Sequence, residues 1–421
     1  MIGKPTSGRW TRAILLAAAL AAGTSAQAQV TPQLSPDGPD AAAYGAAEGY
    51  PPGPRSARPP QSQMVGRFTR FDTLYAHATA RRPAVAAPLS YAAAPLRLSW
   101  AWQGQTHDLA DYLDRHPATG LLIARGTTIL AEHYRYARNE TDRFLSQSMA
   151  KTVTALLAGI AVRDGAIRSV DDTAATYATG LSATLYGQTS LRDLLHMASG
   201  IAFRETYDGN DDSARMGNGL FGRAGPGPAV VLGWFGPREA PAGSRFHYAG
   251  ADTEALGLAI AAATRQSLTH LLERHIWQPM GAEADATWAT DTSGQETAFC
   301  CISATLRDWA RLGLMLAHDG AWNGRQVVPR EWIMDATTVA APFLAPGTAT
   351  AGMGYGYQVW LMRGQRRQFA LLGIHGQAIL VDPGLRLVLV HTAVRLKPSG
   401  DPGNAEMYAL WRALVAAASG N

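Results

Sequence analysis

Hydrophobic residues along the chain follow two spacings, and their order predicts the architecture. Two apolar runs between Gly120 and Arg135 flank Arg125-Gly126, a pattern typical of a β-hairpin. Near the C terminus, further apolar or alternating runs predict an antiparallel sheet, with Asp382-Pro-Gly as a turn. These predicted strands are Tyr355–Leu361, Phe369–Ile374, Gln377–Val381 and Leu385–His391.

The segment between these two groups of strands has mainly helical spacing. One helix begins near Ser148 and ends near Gly165, and a short one follows Ser190, where Asp193 completes a capping signature. The Gly- and Asp-rich residues 203–227 predict a loop or lid. Further predicted helices are Asp252–Thr264, Ser267–Trp277, Ser303–Ala317 and, packed on the sheet, Ala405–Ala418.

Strands, then helices, then strands again indicate an α/β fold of the α+β kind. In this fold, helices flank an antiparallel sheet that is built from both ends of the chain. A mostly helical lobe, at about residues 165–290, is inserted between the two groups of strands. The sequence shows no internal repeat.

Residues 1–28 have the pattern of a secretory signal. Lys4, Arg9 and Arg12 precede a short apolar run, and Ala26-Gln-Ala28 is a cleavage motif. Because the apolar run is too short to span a bilayer comfortably, we expect no retained membrane anchor. The predicted location is outside the inner membrane, in the periplasm.

Residues 29–63 change in composition to Pro, Ala, Gly and Ser, which predicts a flexible, disordered leader. Hydrophobic periodicity begins near Met64, and residues 64–421 are long enough for one large domain. Removal of the signal's three cations reduces the formal net charge from +4 to +1, and no basic run remains. The sequence therefore gives no electrostatic basis for nucleic-acid binding.

The two cysteines of the chain, Cys300 and Cys301, are adjacent. Because consecutive Cα atoms lie too close for ordinary disulfide geometry, the pattern favours two small hydrophobic residues in a buried turn over redox chemistry. No CxxC or HExxH spacing occurs. We therefore expect no metal site and no cofactor.

The stretch Ser148-Met-Ala-Lys151 carries the clearest candidate chemistry. Residues three apart lie on one face of a helix, about one turn from each other. A serine hydroxyl needs an adjacent base, and Lys151 can serve as that base only as a neutral amine, which burial and the positive helix end favour. The N–H of Ser148 can hold an oxyanion. Ser-x-x-Lys also occurs by chance on helix surfaces. Whether Ser148 and Lys151 form a catalytic pair therefore depends on other residues.

Two further stretches can complete this site. The phenolate of Tyr248, held near Lys151, can accept the proton of Ser148 and pass it to a leaving amine or alcohol. In the strand that begins near His375-Gly376-Gln377, the glycine permits close backbone approach and the N–H of Gln377 can be a second oxyanion donor. His375 can orient a substrate carboxylate or carbonyl. Each stretch, taken alone, also fits a structural role.

Two other motifs carry no chemistry here. Residues Gly217–Gly222 match G-x-G-x-x-G, but no strand–helix context surrounds them, so nucleotide binding is not indicated. The sequence also has no P-loop and no G-x-S-x-G elbow, which argues against the usual α/β-hydrolase.

Taken in order, the stretches that contain Ser148–Lys151, Tyr248 and His375–Gln377 resemble the serine β-lactamase and penicillin-recognising superfamily. Within it the chain is similar to the class C-like branch, and most of all to 6-aminohexanoate-dimer hydrolases and related periplasmic carboxylesterases. The resemblance covers roughly residues 97–417. The residues that carry it are Ser148–Lys151, Leu191–Gly200, Pro241–Tyr248, Gly373–Gln377 and the helix Ser303–Gly313.

The resemblance implies Ser148 as the acylated nucleophile, with Lys151 and Tyr248 sharing the general base and acid work. It also implies an oxyanion hole from the N–H groups of Ser148 and Gln377. In the dimer hydrolases a tyrosine after the Ser-Gly turn helps to bind the scissile amide, and Tyr207 is the residue that can match it. Which of Lys151 and Tyr248 is the dominant base stays open.

The chain departs from class C β-lactamases at two places. They carry an Asn two residues after the tyrosine, where this chain has Gly250. They also carry Lys-Thr-Gly on the strand, where this chain has Ile374-His375-Gly376. Both changes remove groups that hold the amide and carboxylate of a penicillin.

The sequence therefore predicts a secreted serine hydrolase that cleaves amide or ester bonds of small linear substrates through a Ser148 acyl-enzyme. One alternative is a β-lactamase or a D-alanyl-D-alanine carboxypeptidase. Another is a non-catalytic protein on the same fold that binds a peptide or peptidoglycan. The expected partner is a small-molecule substrate, and the oligomeric state is left open.

Overall fold

The computed structural model describes residues 1–3, 29–56, 58–222 and 225–420, so most of the predicted signal segment lies outside the described residues. The strands are β1 Gln33–Leu34, β2 His77–Ala80, β3 Ser90–Tyr91, β4 Ser99–Trp102, β5 Gln105–Asp108, β6 Ala118–Arg125, β7 Thr128–Tyr134, β8 Phe144–Leu145, β9 Ala286–Ala289, β10 Ile302–Ala304, β11 Ala321–Trp322, β12 Arg325–Gln326, β13 Met353–Tyr355, β14 Trp360–Met362, β15 Phe369–Gly373, β16 Gln377–Asp382 and β17 Leu387–Ala393.

The helices alternate with these strands at both ends of the chain and dominate its middle. They are α1 Gln61–Thr69, α2 Leu109–Arg115, α3 Ala150–Arg163, α4 Ala174–Tyr177, α5 Leu191–Leu195, α6 Asp212–Phe221, α7 Pro228–Leu232, α8 Gly250–Thr264, α9 Leu268–Leu272, α10 Leu306–Ala317, α11 Arg330–Ala336 and α12 Gly403–Ala418. Helices α4 to α9 form a lobe between the strands of the two chain ends.

The large sheet joins the hairpin β6–β7 to the C-terminal strands. Among the described residues its order is β1-β7-β6-β17-β16-β15-β14-β13, with β3 also paired to β7. Its pairs are antiparallel except for β1 and β3, which run parallel to β7. The antiparallel sheet built from both chain ends, as the sequence predicted, is therefore confirmed.

Alternate residues of this sheet serve two hydrophobic cores. Leu121 and Ile123 of β6 pack in the core that contains α12, whereas Leu122 and Ala124 pack in the larger core with α3, α8 and α10. This division follows from the two-residue period of a strand, which sends neighbouring side chains to opposite faces. Both faces are covered, so the strands are almost uniformly apolar.

A second, smaller sheet has the order β2-β9-β10-β8. It pairs Leu145 with Ser303, residues far apart in the sequence. Because β8 leads directly into the Ser148 segment, this small sheet fixes where α3 begins.

Residues 29–56 and 58–63, which belong to the predicted flexible leader, are folded instead. Tyr44 and Tyr50 are buried, the hydroxyl of Tyr44 donates to the carbonyl of Val394 at 2.7 Å, and β1 pairs with β7. The Tyr136 ring lies so close to Gly38 that a Cβ there would approach its atoms to 2.3 Å. The small residues that suggested disorder permit this close packing, and the tyrosines supply the buried surface.

Two other predictions need correction. The predicted loop 203–227 contains α6, whose first turn is capped by Asp211, which accepts a hydrogen bond from the N–H of Ala214 at 2.9 Å. The predicted strand 355–361 is interrupted, since β13 ends at Tyr355 and β14 begins at Trp360. The high glycine content of residues 203–227 favoured the prediction of a loop over α6, because composition does not show which residue caps a helix.

Within the described part of the chain, no helix has both the length and the apolar character needed to cross a membrane.

We expect Gly38→Ala to loosen the N-terminal segment from the domain. The new methyl group would overlap the Tyr136 ring, and such overpacking costs about 1–3 kcal/mol. The matched control is Gly352→Ala, because nothing lies within 4 Å of a Cβ at Gly352. Thermal unfolding and limited proteolysis, with the first cleavage mapped by mass, measure the effect. Equal midpoints and equal cleavage in residues 29–63 of both variants would show that the segment does not contribute to stability.

Candidate active site

Ser148 lies in a tight turn that joins β8 to α3. The N–H of Ser146 donates to the carbonyl of Ile302 at 2.7 Å, and the N–H of Ile302 donates to Ser146 Oγ at 3.0 Å. Gln147 has a φ of +46°, in the left-handed region that is costly for a residue other than glycine. Residues Gln147–Met149 form a 3-10 turn before α3 begins at Ala150. This turn places the Ser148 side chain beside the first residues of α3.

Lys151 lies one turn further along and is almost wholly buried, with 1% of its surface exposed. Its Nζ is 2.9 Å from Ser148 Oγ and donates to the carbonyl of Phe299 at 3.0 Å. Burial lowers the pKa of Lys151 to about 8, although the carboxylates of Glu205 and Glu254 act in the opposite direction. The neutral amine that a serine needs as its base is therefore accessible near neutral pH.

Tyr248 lies beside the Lys151 amine. The Nζ atom is 5.0 Å from the centre of the Tyr248 ring, which stacks on Trp360 at a centroid distance of 5.4 Å. Burial and the Glu205 carboxylate raise the pKa of Tyr248 far above its ordinary value, and a hydrogen bond with Ser148 lowers it only in part. Tyr248 is therefore a neutral phenol at neutral pH, able to donate a proton.

Glu205 is a member of the site that sequence reasoning missed. Its Oε2 accepts a hydrogen bond from the N–H of Gly250 at 2.6 Å, and its Oε1 accepts one from the Tyr207 hydroxyl at 2.8 Å. The carboxylate thus lies against Gly250, where class C enzymes carry their Asn. The sequence offered one signal, an acidic residue two positions before the candidate Tyr207, but no spacing rule connects it with Gly250.

Tyr207, the tyrosine that the resemblance suggested, is linked to the site through Glu205. Burial and the carboxylate of Glu205 raise its pKa well above the ordinary value, so its hydroxyl stays protonated. Because that proton is donated to Glu205, the phenolic oxygen keeps lone pairs for a donor such as an amide N–H.

The corner between β15 and β16 lies against the Ser148 turn from the large sheet. A Cβ at Gly373 would stand 2.5 Å from the carbonyl oxygen of Ser146, so the two segments are in close contact. Gln377 starts β16 directly after this corner, and its side chain is buried and bonded to Ala393 and Ile374. Gly376 has a φ of +93°, which glycine adopts without strain.

His375 is held at the same corner in a way that limits its role. Its Nδ1 is 2.6 Å from the carbonyl oxygen of Arg395, and its ring contacts Phe68 edge-on at a centroid distance of 5.4 Å. Burial lowers the pKa of His375 below its ordinary value. The imidazole is therefore neutral near pH 7 and offers no positive charge to a substrate carboxylate.

Cys300 and Cys301 form a disulfide bond between adjacent residues, with Cα atoms 3.7 Å apart. The prediction of two unlinked small hydrophobic residues was wrong, although both side chains are buried as expected. The φ of +75° at Cys301 turns the backbone so that the two sulfurs meet. General disulfide statistics describe pairs separated in the chain and did not anticipate this special turn.

The structure thus brings Ser148, Lys151, Tyr248 and Tyr207 together, with Glu205 and Phe299 added. A nucleophile in contact with a buried amine, next to a protonated phenol, can carry out acyl transfer with general acid–base help.

Comparison with known proteins shows what the chain is similar to. The 6-aminohexanoate-dimer hydrolase of Paenarthrobacter ureafaciens is 26% identical over 298 residues, which cover 67% of this chain and 74% of that protein. A Bacillus anthracis protein with a provisional 6-aminohexanoate-dimer hydrolase name superposes with a TM-score of 0.76 at 23% identity, over 87% of this chain and 95% of that chain.

More distant structures share the fold. A penicillin-binding protein from Bacillus halodurans gives a TM-score of 0.54 at 18% identity, over 71% of this chain and 96% of that chain. These likenesses confirm the fold that the sequence predicted. The Beta-lactamase family matches residues 108–411, nearly three quarters of the sequence, and the chain therefore belongs to the Beta-lactamase family.

Proposed function

We propose that the chain is a secreted serine hydrolase that cleaves amide or ester bonds of small linear substrates through a Ser148 acyl-enzyme. The observation that carries the proposal is the 2.9 Å contact between Ser148 Oγ and the buried Lys151 Nζ. Similarity to a 6-aminohexanoate-dimer hydrolase supports linear amides as the substrate class.

Lys151 is the general base in this proposal, and Tyr248 is the proton donor. The amine with a pKa of about 8 takes the proton of Ser148 as Oγ attacks the carbonyl carbon. Since burial keeps Tyr248 protonated, a phenolate base is disfavoured. The phenol instead gives its proton to the leaving amine or alcohol, and the lysine proton restores it. Water then attacks the acyl-enzyme: the neutral Lys151 amine takes a proton from the water and returns it to Ser148 Oγ as the acyl bond breaks.

The N–H groups of Ser148 and Gln377 form the oxyanion hole in this scheme. Support comes from the contact between the β15–β16 corner and the Ser146 carbonyl, which brings the start of β16 beside the nucleophile turn. Two fixed N–H donors aimed at one carbonyl oxygen stabilise the charge that develops there.

Two alternatives remain as outcomes of experiment. A β-lactamase or D-alanyl-D-alanine carboxypeptidase is disfavoured, because Gly250 replaces the Asn and His375 is neutral where the family has Lys-Thr-Gly. A non-catalytic binding protein is disfavoured by the complete set of nucleophile, base and acid. Secretion to the periplasm rests on the signal pattern of residues 1–28.

We expect a fluorophosphonate to add once to the mature protein and Ser148→Ala to abolish the adduct. Hydrolysis of p-nitrophenyl acetate should fall about 10³-fold or more in this variant, because the acyl-enzyme cannot form. Intact mass and initial rates measure both effects, and Ser182→Ala, at an exposed serine, is the matched control. Binding of a ligand without turnover by folded wild-type protein would support the binding protein instead. Stoichiometric, long-lived labelling by benzylpenicillin would support the penicillin-recognising alternative.

The rate should rise with pH as Lys151 loses its proton. Because the base works only as the neutral amine, kcat/KM should have an acidic limb with a midpoint near pH 8, falling about tenfold per pH unit below it. Lys151→Met should lose about 10²–10⁴-fold in kcat/KM together with this limb. Initial rates between pH 5 and 10 test this, and a wild-type profile that is flat from pH 6 to 9 would exclude Lys151 as the base.

Tyr207→Phe should reduce amide hydrolysis more than ester hydrolysis. Only an amide substrate has an N–H that can donate a hydrogen bond to the Tyr207 oxygen, and such a hydrogen bond is worth about 0.5–1.5 kcal/mol. The amide-to-ester ratio of kcat/KM, measured on a pair of substrates with the same acyl group, should fall about three- to tenfold. Tyr91→Phe is the matched control, since the Tyr91 phenol donates to Glu132 at 2.8 Å in the same manner. An unchanged ratio in Tyr207→Phe would contradict the assignment.

A further inference from the structure

One turn contacts the catalytic lysine without belonging to the reacting groups. It comprises residues Thr297–Ile302 and is called here the carbonyl turn. Its Phe299 carbonyl accepts a hydrogen bond from Lys151 Nζ at 3.0 Å, and the Phe299 ring centre lies 5.5 Å from the same nitrogen. The carbonyl turn is therefore an immediate neighbour of the amine.

Helices α3 and α8 fasten the start of the carbonyl turn. The hydroxyl of Thr154 donates to the carbonyl of Ala298 at 2.7 Å, and the N–H of Ala298 donates to Glu254 at 2.8 Å. Both backbone polar groups of the buried residue Ala298 are thus satisfied by side chains from different helices. The peptide that precedes Phe299 is fixed relative to α3, the helix that carries Lys151.

The small sheet fastens the end of the carbonyl turn. The indole N–H of Trp288 is shared between the carbonyls of Thr297 and Cys300, each at 3.0 Å. The N–H of Ile302 donates to Ser146 Oγ at 3.0 Å, next to the nucleophile. One short segment therefore touches the base at Phe299 and the nucleophile turn at Ser146.

The disulfide lies between these two contacts. Cys300 and Cys301 are each 6% exposed and pack among Leu145, Val65 and Phe68. Cys301 has a φ of +75°, a conformation that costs a residue with a Cβ about 1–3 kcal/mol unless its surroundings hold it. A covalent link between its sulfur and that of the preceding residue is such a restraint.

The direction of the Lys151 lone pair gives the Phe299 carbonyl a chemical role. A neutral primary amine has two N–H groups and one lone pair, and only the lone pair can receive the Ser148 proton. When one N–H is committed to a fixed carbonyl, rotation about the last bond of the side chain is restricted. The lone pair can then stay directed at Ser148 Oγ, 2.9 Å away.

We propose that the carbonyl turn, locked by the Cys300–Cys301 disulfide, is the positioning element of the general base. It holds the Phe299 carbonyl where it orients the Lys151 amine toward Ser148, and opening the disulfide slows proton transfer without removing any reacting group. This proposal rests on the proposed role of Lys151 as base. It also makes the hydrolase sensitive to reducing dithiols.

The reductive step is a thiol–disulfide exchange with dithiothreitol. One thiolate of the reagent attacks a protein sulfur and breaks the Cys300–Cys301 bond, and the second reagent thiol closes the cyclic reagent disulfide. Two electrons and two protons pass to the protein, which leaves with two thiols. The reagent is oxidised and the protein is reduced, so the step balances.

We expect reduction of the disulfide to lower kcat by up to about tenfold, while KM for p-nitrophenyl acetate stays within about twofold. A small displacement of a reacting group has effects up to about 10²-fold, which sets the scale. The midpoint of the acidic limb should also move, since the surroundings of the amine change. Thiol counting after denaturation confirms reduction. The double variant Cys300→Ser/Cys301→Ser should show the same lowered kcat and shifted limb, and no response to dithiothreitol.

A pair of threonines on α3 supplies a second, independent test. Thr154→Val removes a buried hydroxyl that holds the carbonyl turn, whereas Thr152→Val removes one that donates at the same 2.7 Å to the carbonyl of Gln358. Both changes are nearly isosteric, and both should lower stability by a similar amount. Only Thr154→Val should lower kcat and shift the acidic limb, so loss of stability alone cannot explain the difference.

The proposal is overturned if the double variant keeps the wild-type kcat and acidic limb, or if Thr154→Val and Thr152→Val behave alike. Should the double variant fail to fold, the threonine pair gives the answer by itself. Failure of the proposed function has a different signature. In that case Ser148→Ala keeps its turnover, or Lys151→Met keeps the acidic limb, whatever the state of the disulfide.

Discussion

Removal of the Lys151 amine from water is the constraint on which the site depends. A buried ammonium loses its hydration, and this loss lowers the pKa of Lys151 to about 8. Such burial is tolerated only where the amine has hydrogen-bond partners, and here these partners are Ser148 Oγ and the Phe299 carbonyl. The carboxylates of Glu205 and Glu254 limit the effect, because their charge favours the protonated form. The resulting amine can change its charge near neutral pH.

The geometry around this amine depends on pairing between distant parts of the chain. Strand β8 leads to the nucleophile and β10 follows the carbonyl turn, and the two are neighbours in the small sheet. The large sheet contributes the corner that contains His375, and the helical lobe contributes Tyr207 and Tyr248. The site therefore forms only when both sheets and the lobe have assembled, so its precision is a property of the whole domain.

This dependence explains which features could be predicted from the sequence. The relation between Ser148 and Lys151 is local, because residues three apart in a helical segment lie about one turn from each other. The strands likewise follow from local alternation. Glu205 could not be assigned, because its partners Gly250 and Tyr207 are linked only by the tertiary fold. The N-terminal segment was misjudged for a similar reason. Its average composition indicates disorder, whereas Tyr44 and Gly38 fit sites that other segments create.

The charges around the site also influence which substrates can bind. The N–H of Gly250 is bonded to the Glu205 carboxylate, so a negative charge lies where a class C enzyme presents a neutral amide. On the strand side, Ile374 stands where those enzymes carry the lysine of Lys-Thr-Gly, and the neighbouring imidazole of His375 is neutral. Both differences disfavour a substrate with a carboxylate close to its scissile bond, because the charge would lack a cationic partner and approach an anion. A linear amide that is uncharged near its scissile bond meets neither cost. In the proposed reaction, the residues that border Ser148 and Lys151 therefore disfavour penicillins as substrates.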